Sequence, residues 1–390
     1  MLKNLRIKNF RMFENLEISR LGQVNLIVGK NNSGKSTVLE ALRIFARRGN
    51  VGLLSEIAAG HDESSRSQPR DSEEALNPEA ELPYQHFFPK RMFPVEDGNA
   101  IWIGDLEDRQ YVSIEHVFFV EETEVVDLDG EKIRRSRRKI IPKKNMFGSG
   151  GMGSGQGLSV NTKDGAESFV DLDEPFPYRL RSRYATVSDK ETPVSFVPTR
   201  FVQANYLASL WDSIALTENE NTIREALAII EPKIERLAFV KAEMQGTAPR
   251  SRDGDRMAIV KLKELLRPVP LNSMGDGMYR LMQLILCMFP AKNGIVLVDE
   301  FENGLHYSVQ ELVWKLIFNT AARLNVQVFA TTHSLDCVTA FRNVALNSDS
   351  KGAVFKISQS DLASDKGRII STVLEENELD ELIRAGIEVR

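Results

Sequence analysis

Apolar residues along the chain fall into strand-like and helix-like rhythms. Leu5, Ile7 and Phe10 belong to a first short strand, Leu16 and Ile18 to a second, and Val24 to Val28 (VNLIV) is an unbroken apolar run of the buried-strand kind that ends at Gly29. From Lys35 to Arg48 the apolar side chains Val38, Leu39, Leu42 and Phe45 recur at helical spacing, and Gly49 is placed as a C-cap. The first 50 residues therefore predict strand, glycine loop, helix. Residues 50 to about 190 change character. HDESSRSQPRDSEEALNPEAELP and the tract NMFGSGGMGSGQG read as exposed loops, and between them Asp129-Gly130 marks a two-residue hairpin turn between β-rich arms. Beyond Phe196 the segment FVPTRFVQA reads as extended and Asn221 to Gln245 as mostly helical. Further strands are expected at IVLV (295–298), VQVFA (326–330), VFKIS and RIISTVL, and Val309 to Leu324 carries a helical stripe of Leu312, Val313, Leu316 and Ile317. Alternating buried strands and helices predict an α/β fold with a mainly parallel core sheet.

Composition narrows the class without naming a function. The chain is 42% hydrophobic and 27% charged over 390 residues, an ordinary globular balance. No apolar run reaches the roughly 20 residues of a membrane span, and MLKNLRIKNF lacks the apolar core of a signal peptide, so a cytoplasmic protein without a membrane partner is expected. Cys287 and Cys337 lie in apolar segments with no metal-ligand spacing, which excludes a disulfide framework and a cysteine zinc site. A net charge of −5 argues against a protein that coats nucleic acid over its whole surface.

Four short motifs carry chemistry. GKNNSGKS (29–36) follows an apolar strand and opens a helix, the context a phosphate loop requires. In that reading the backbone N–H groups cradle phosphates, Lys35 reaches the β- and γ-phosphates, and Ser36 offers its hydroxyl to Mg²⁺. IVLVDE (295–300) is a buried strand ending in two adjacent acids, whose desolvation cost calls for a reason. Asp299 is placed to hold Mg²⁺, and Glu300 to orient and deprotonate an attacking water. LNSMGDGM (271–278) sets Ser273, Gly275 and Gly277 before an apolar helix, a second anion site that a two-fold dimer would use to complete its partner's pocket. VFATTHS (328–334) delivers Thr331, Thr332 and His333 to a strand end, where the histidine is placed as a polar switch beside the γ-phosphate.

The order GKNNSGKS, SMGDG, VLVDE with ENGLH, then TTH, resembles an ABC-type ATPase head of the SMC/RecF kind. NFRMF, SMGDGMYRL, DEFENGLHYSVQ and the ending ELIRAGIEVR resemble, more narrowly, the OLD-like (overcoming lysogenization defect) ATPases. The resemblance covers residues 1–50 and 195–390, which it makes the ATPase head, and leaves 51–194 as a β-rich insert. It implies N-terminal antiparallel strands beside the parallel core and a Walker A loop formed by Gly29, Asn31, Asn32, Ser33, Gly34, Lys35, Ser36 and Thr37. Asp299 and Glu300 become the Walker B pair. Ser273, Gly275 and Asp276 become the signature acting across a dimer, Asn303 and His306 part of the D-loop, His333 the switch histidine, and Arg11 a nucleotide contact. Gln203 is a candidate Q-loop residue. SMGDG differs from the transporter signature LSGGQ, which disfavours a transporter subunit. The 57 residues after His333 are too few for a TOPRIM nuclease domain, and the acidic Asp253 to Asp255 reads as a solvated loop.

EKIRRSRRKIIPKK (131–144) is strongly basic. A turn at Asp129-Gly130, however, opposes Glu121 to Arg138, Glu122 to Arg137, Glu124 to Arg135 and Asp127 to Lys132, leaving Arg134, Lys139, Lys143 and Lys144 for nucleic acid. The expected function is a slow regulatory or sensor ATPase that needs Mg²⁺, forms a homodimer around ATP and controls a separately encoded effector in bacterial anti-phage defence. The competing expectation is a RecF/SMC-like DNA-binding repair ATPase.

Overall fold

The computed structural model describes residues 1–63, 84–145, 154–173, 191–241 and 256–374, apart from 108, 129, 130, 166 and 366. Most of the two polar loops, the Asp129-Gly130 turn, Asp253 to Asp255 and the ending ELIRAGIEVR lie outside the described residues.

An antiparallel hairpin of β1 (Leu5–Phe10) and β2 (Phe13–Ile18) leads into β3 (Val24–Val28), the glycine loop, α1 (Lys35–Ala46) and α2 (Val51–Gly60). Strands β4 (Ile101–Gly104), β5 (Tyr111–Leu128), β6 (Glu131–Ile141), β7 (Ser154–Thr162) and β8 (Glu167–Asp171) follow. They continue the N-terminal hairpin, because β4 pairs antiparallel with β1 and the sheet runs β2-β1-β4-β5-β7-β8 with β6 on β5. The β5–β6 register opposes Glu121 to Arg138, Glu122 to Arg137, Glu124 to Arg135 and Asp127 to Lys132, as the expected turn requires.

The second half contains β9 (Val194–Val197), α3 (Ala204–Ile214), α4 (Glu218–Ile230), β10 (Ile234–Lys241), β11 (Arg256–Leu262), β12 (Val269–Pro270), α5 (Asp276–Leu286), β13 (Ile295–Val298), α6 (Tyr307–Leu324), β14 (Gln327–Thr332), α7 (Leu335–Ala345), β15 (Gly352–Gln359) and β16 (Ile369–Leu374). The core sheet has the order β16-β15-β3-β14-β13-β9; all its pairs are parallel except β15 with β16. Alternate residues of these strands face two cores. Val24, Leu26, Val28, Val296, Val298 and Val328 pack with α3 to α7 on one face. Ile27, Ile295, Leu297, Phe329 and Phe355 pack with α1, α2 and the antiparallel sheet on the other. Helix α1 is thereby clamped between two sheets, which fixes the loop that precedes it. The α/β fold with a mainly parallel core sheet expected from the pattern is observed, with antiparallel N-terminal strands beside it.

Two expectations are corrected. Within Asn221 to Gln245 the helix ends at Ile230 and residues 234–241 form β10, paired with β11, while 242–245 lie outside the described residues. A register shift between Ile234 and Arg236 sets buried Ile234 and Leu237 three apart, a spacing that imitates a helix. Helix α1 ends at Ala46 rather than Arg48, because Arg48 and Gly49 both take positive φ.

Candidate functional site

The glycine loop owes its shape to Gly34, the α1 N-cap, whose φ of 100° favours glycine. A Cβ there would also lie 2.6 Å from Phe13 Cζ and 2.7 Å from Met12 Sδ, so the β1–β2 turn closes on the loop as only glycine allows. Lys35 Nζ donates to the carbonyls of Gly29 at 2.8 Å and Lys30 at 2.9 Å. Burial pulls its pKa down, against the opposing pull of Asp299, Glu300 and Glu302.

Strands β13 and β3 are separated by β14 alone, and their C-terminal ends bring the two distant motifs together. Ser36 Oγ donates to Asp299 Oδ1 at 3.1 Å and to Oδ2 at 3.2 Å. Thr331, at the end of β14, donates from Oγ1 to Asp299 Oδ1 at 2.7 Å and accepts the Glu300 N–H at 2.8 Å. One hydroxyl thus fixes both acids of the pair. Thr199, just beyond β9, reaches Asp299 Oδ2 at 3.5 Å. Ser36 is exposed, and the hydroxyl and carboxylate supply a small set of hard oxygen donors, which suits Mg²⁺.

Glu300 has φ 47°, in the left-handed region that a side chain resists. Arg280 of α5 holds it there. Its side chain is fully buried and donates to the carbonyls of Pro198 at 2.6 Å, Asp299 at 2.8 Å and Glu300 at 2.9 Å. Burial draws the guanidinium pKa down to about 10, yet it stays charged at neutral pH. His333 Nδ1 lies 3.3 Å from Glu302 Oε1.

Ser273, Gly275 and Asp276 are exposed at the start of α5, with Gly275 at φ 96° as its N-cap and Ser273 Oγ bound to the Pro270 carbonyl at 2.7 Å. A Cβ on Gly277 would meet the Gly304 carbonyl at 2.7 Å, so the signature turn and the segment after Glu300 touch within one subunit. Asn303 Nδ2 donates to the Thr199 carbonyl at 2.9 Å, and His306 caps α6 by accepting from Ser308. Asn31 and Asn32 are exposed, while Ser33 and Thr37 are half-buried. Gln203 is exposed at the N-cap of α3, with no side-chain cap bond.

Arg11 is engaged elsewhere: its guanidinium bonds Glu40 at 2.8 Å and Glu63 at 2.8 Å, with Phe87 beneath it. Two of the four basic residues expected to be free are not. Lys139 pairs with Glu122 at 2.8 Å, a diagonal neighbour across the β5–β6 ladder. Lys143 is buried and donates to the carbonyls of Pro94 and Glu96. Lys144 is exposed, and the Arg134 side chain lies outside the described residues. Sequence reasoning missed Arg280, Glu302 and Thr199. Arg280 left a signal, a lone charge inside an otherwise apolar helix.

Two family models match the chain, one described as "AAA ATPase domain" over residues 1–147 and one as "AAA domain, putative AbiEii toxin, Type IV TA system" over residues 171–336. A Helicobacter pylori protein named "ATP/GTP phosphatase" is 21% identical over 372 residues, covering 90% of each chain. The SMC head domain from Thermotoga maritima matches over 96% of this chain and 99% of its own, at 12% identity and a TM-score of 0.44. The Smc head domain with an extended coiled coil from Pyrococcus furiosus, bound to the C-terminal domain of ScpA, matches over 98% of each chain at 12% identity and 0.45. ATP hydrolysis is the activity that the matched ATPase models support. Among the described residues no helix is long and apolar enough to cross a membrane.

Proposed function

We propose that this chain is a regulatory ATPase head that dimerises around ATP and hydrolyses it slowly to time the control of a separate effector. The convergence of Ser36, Asp299, Thr331 and Glu300 carries this reading, because it joins a phosphate loop to a positioned carboxylate through hydrogen bonds of 2.7–3.2 Å. Lys35 and the loop N–H groups hold the phosphates, and Glu300 orients and deprotonates the attacking water. His333 faces the terminal phosphate. Ser36 and Asp299 would hold Mg²⁺, which when bound neutralises charge on the phosphate oxygens. The exposed Ser273, Gly275 and Asp276 are available to a second subunit, whose phosphate site they would close.

The resemblance to OLD-like ATPases, together with the match to a model described by a toxin of a toxin–antitoxin system, supports a place in anti-phage defence. A nucleic-acid clamp has less support, since Lys139 is paired and Lys143 is buried.

Glu300→Gln tests the assignment. The variant should lose turnover by at least about a hundredfold while keeping ATP and gaining dimer in its presence. Turnover at the wild-type rate would remove Glu300 from this role.

A further inference from the structure

The groups placed at the terminal phosphate all lie on one side of β3. Asp299 and Glu300 follow β13, and His333 follows β14. On the other side β15 runs parallel to β3, with Lys356 opposite Val28. There a cavity of about 920 Å³ opens between Met12 of the β1–β2 turn, Asn31 to Ser33 of the glycine loop, and Gln359 and Asp361 of the turn that joins β15 to β16. Neither Lys35, Ser36, Asp299, Glu300 nor His333 lines it. A nucleoside triphosphate whose last phosphate faces Glu300 must extend its nucleoside away from β13, and this cavity adjoins the loop on that side.

We propose that the cavity seats the nucleoside, and that Gln359 and Asp361 read a purine base by hydrogen bonding. The inference rests on the reading of the glycine loop as a nucleotide site. Among the described residues no aromatic side chain lines the cavity, and Met12 and Ile369 supply the apolar contacts for the base. The turn that carries the two readers is already formed. Ser360 Oγ donates to Asp365 Oδ2 at 2.6 Å, the Ser360 N–H to the Arg368 carbonyl at 2.8 Å, and the Arg368 N–H to the Asp365 carbonyl at 2.9 Å. Gly367, at φ 76°, leaves room for the Gln359 carboxamide, whose Nε2 would lie 2.4 Å from a Cβ there.

Asp365 is thus committed to the turn, whereas the side chains of Gln359 and Asp361 are exposed and make no hydrogen bond among the described residues. A carboxamide offers a donor and an acceptor side by side, which complements the N1/N6 edge of adenine and, flipped, the N1/O6 edge of guanine. A carboxylate accepts from the adenine amino group, or from N1–H and the amino group of guanine. Both purines are therefore accepted, with Asp361 favouring guanine.

Calorimetric titration of the Glu300→Gln protein with unlabelled ATP and GTP reads the cavity independently of turnover. The two dissociation constants should lie within about tenfold of each other, since each hydrogen bond gained or lost changes affinity by roughly three- to tenfold. Adding Asp361→Ala should weaken GTP at least about fivefold more than ATP, and Gln359→Ala should weaken both. GTP binding more than about a hundredfold weaker than ATP, or affinities unmoved by both substitutions, would overturn the proposal. Tight, base-dependent binding without any wild-type turnover would sink the hydrolase reading and leave this one standing.

Discussion

Glu302 Oε1 accepts the backbone N–H of His333 at 3.1 Å and lies 3.3 Å from its ring Nδ1. Glu302 is largely buried, and two contacts from one oxygen lock both the position and the rotation of the histidine. With Nδ1 turned to the carboxylate, Nε2 is the nitrogen left for the phosphate contact proposed above. The segment after Glu300 is in this way tied to the end of β14, so the two strand ends cannot move apart without breaking this pair.

The first prediction concerns that pair. Glu302→Ala and His333→Ala should each lower kcat by roughly 10- to 100-fold with little change in the KM for ATP. The double variant should be no slower than the worse single one, because both remove one positioned imidazole. Multiplying effects would show that the residues act independently.

Arg280 yields a second prediction, in stability as well as rate. Arg280→Met leaves the carbonyls of Pro198, Asp299 and Glu300 without their buried donor, which should cost roughly 2–4 kcal/mol in urea unfolding. Arg280→Lys keeps the charge and loses the planar fork, so it should recover part of the stability while kcat stays low. An unchanged unfolding midpoint in Arg280→Met would show that the clamp contributes nothing.

Acid should unfold the protein partly through His116. The ring is buried, stacked on Phe93 at a centroid distance of 4.0 Å, and held neutral because burial lowers its pKa from 6.5 to about 4. Between those values the unfolded chain binds a proton that the folded chain refuses. Its contribution is therefore present above pH 6.5 and lost as pH falls toward about 4, roughly 3 kcal/mol in all. Between pH 7 and 4 the melting temperature of the wild type should fall more steeply than that of His116→Phe. Parallel curves would exclude the histidine.

Local features were the legible ones. Strand, glycine loop and α1 are contiguous, and the apolar runs before Asp299 and Thr331 are continuous because both faces of a parallel strand are covered. The β5–β6 register was equally readable, since a two-residue turn fixes every pair above it. What stayed hidden depended on side chains meeting across the fold. Lys139 reaches a diagonal partner, Lys143 turns inward to two carbonyls, and the pairing of β1 with β4 joins segments some ninety residues apart. The role of Arg280 appears only when the carbonyls just beyond β9 and β13 stand around it.

The left-handed backbone of Glu300 sets the interests of the fold against those of the reaction. A side chain in this conformation costs about 1–2 kcal/mol, whereas glycine pays only about 0.5–1 kcal/mol in lost freedom. Glycine at position 300 would relieve that strain, at the loss of one of three carboxylates whose charge favours the Lys35 ammonium. Where backbone strain outweighs that attraction, directed evolution for thermal tolerance alone would drift away from the carboxylate that the proposed hydrolysis needs, so any such campaign on this chain needs a turnover assay in every round.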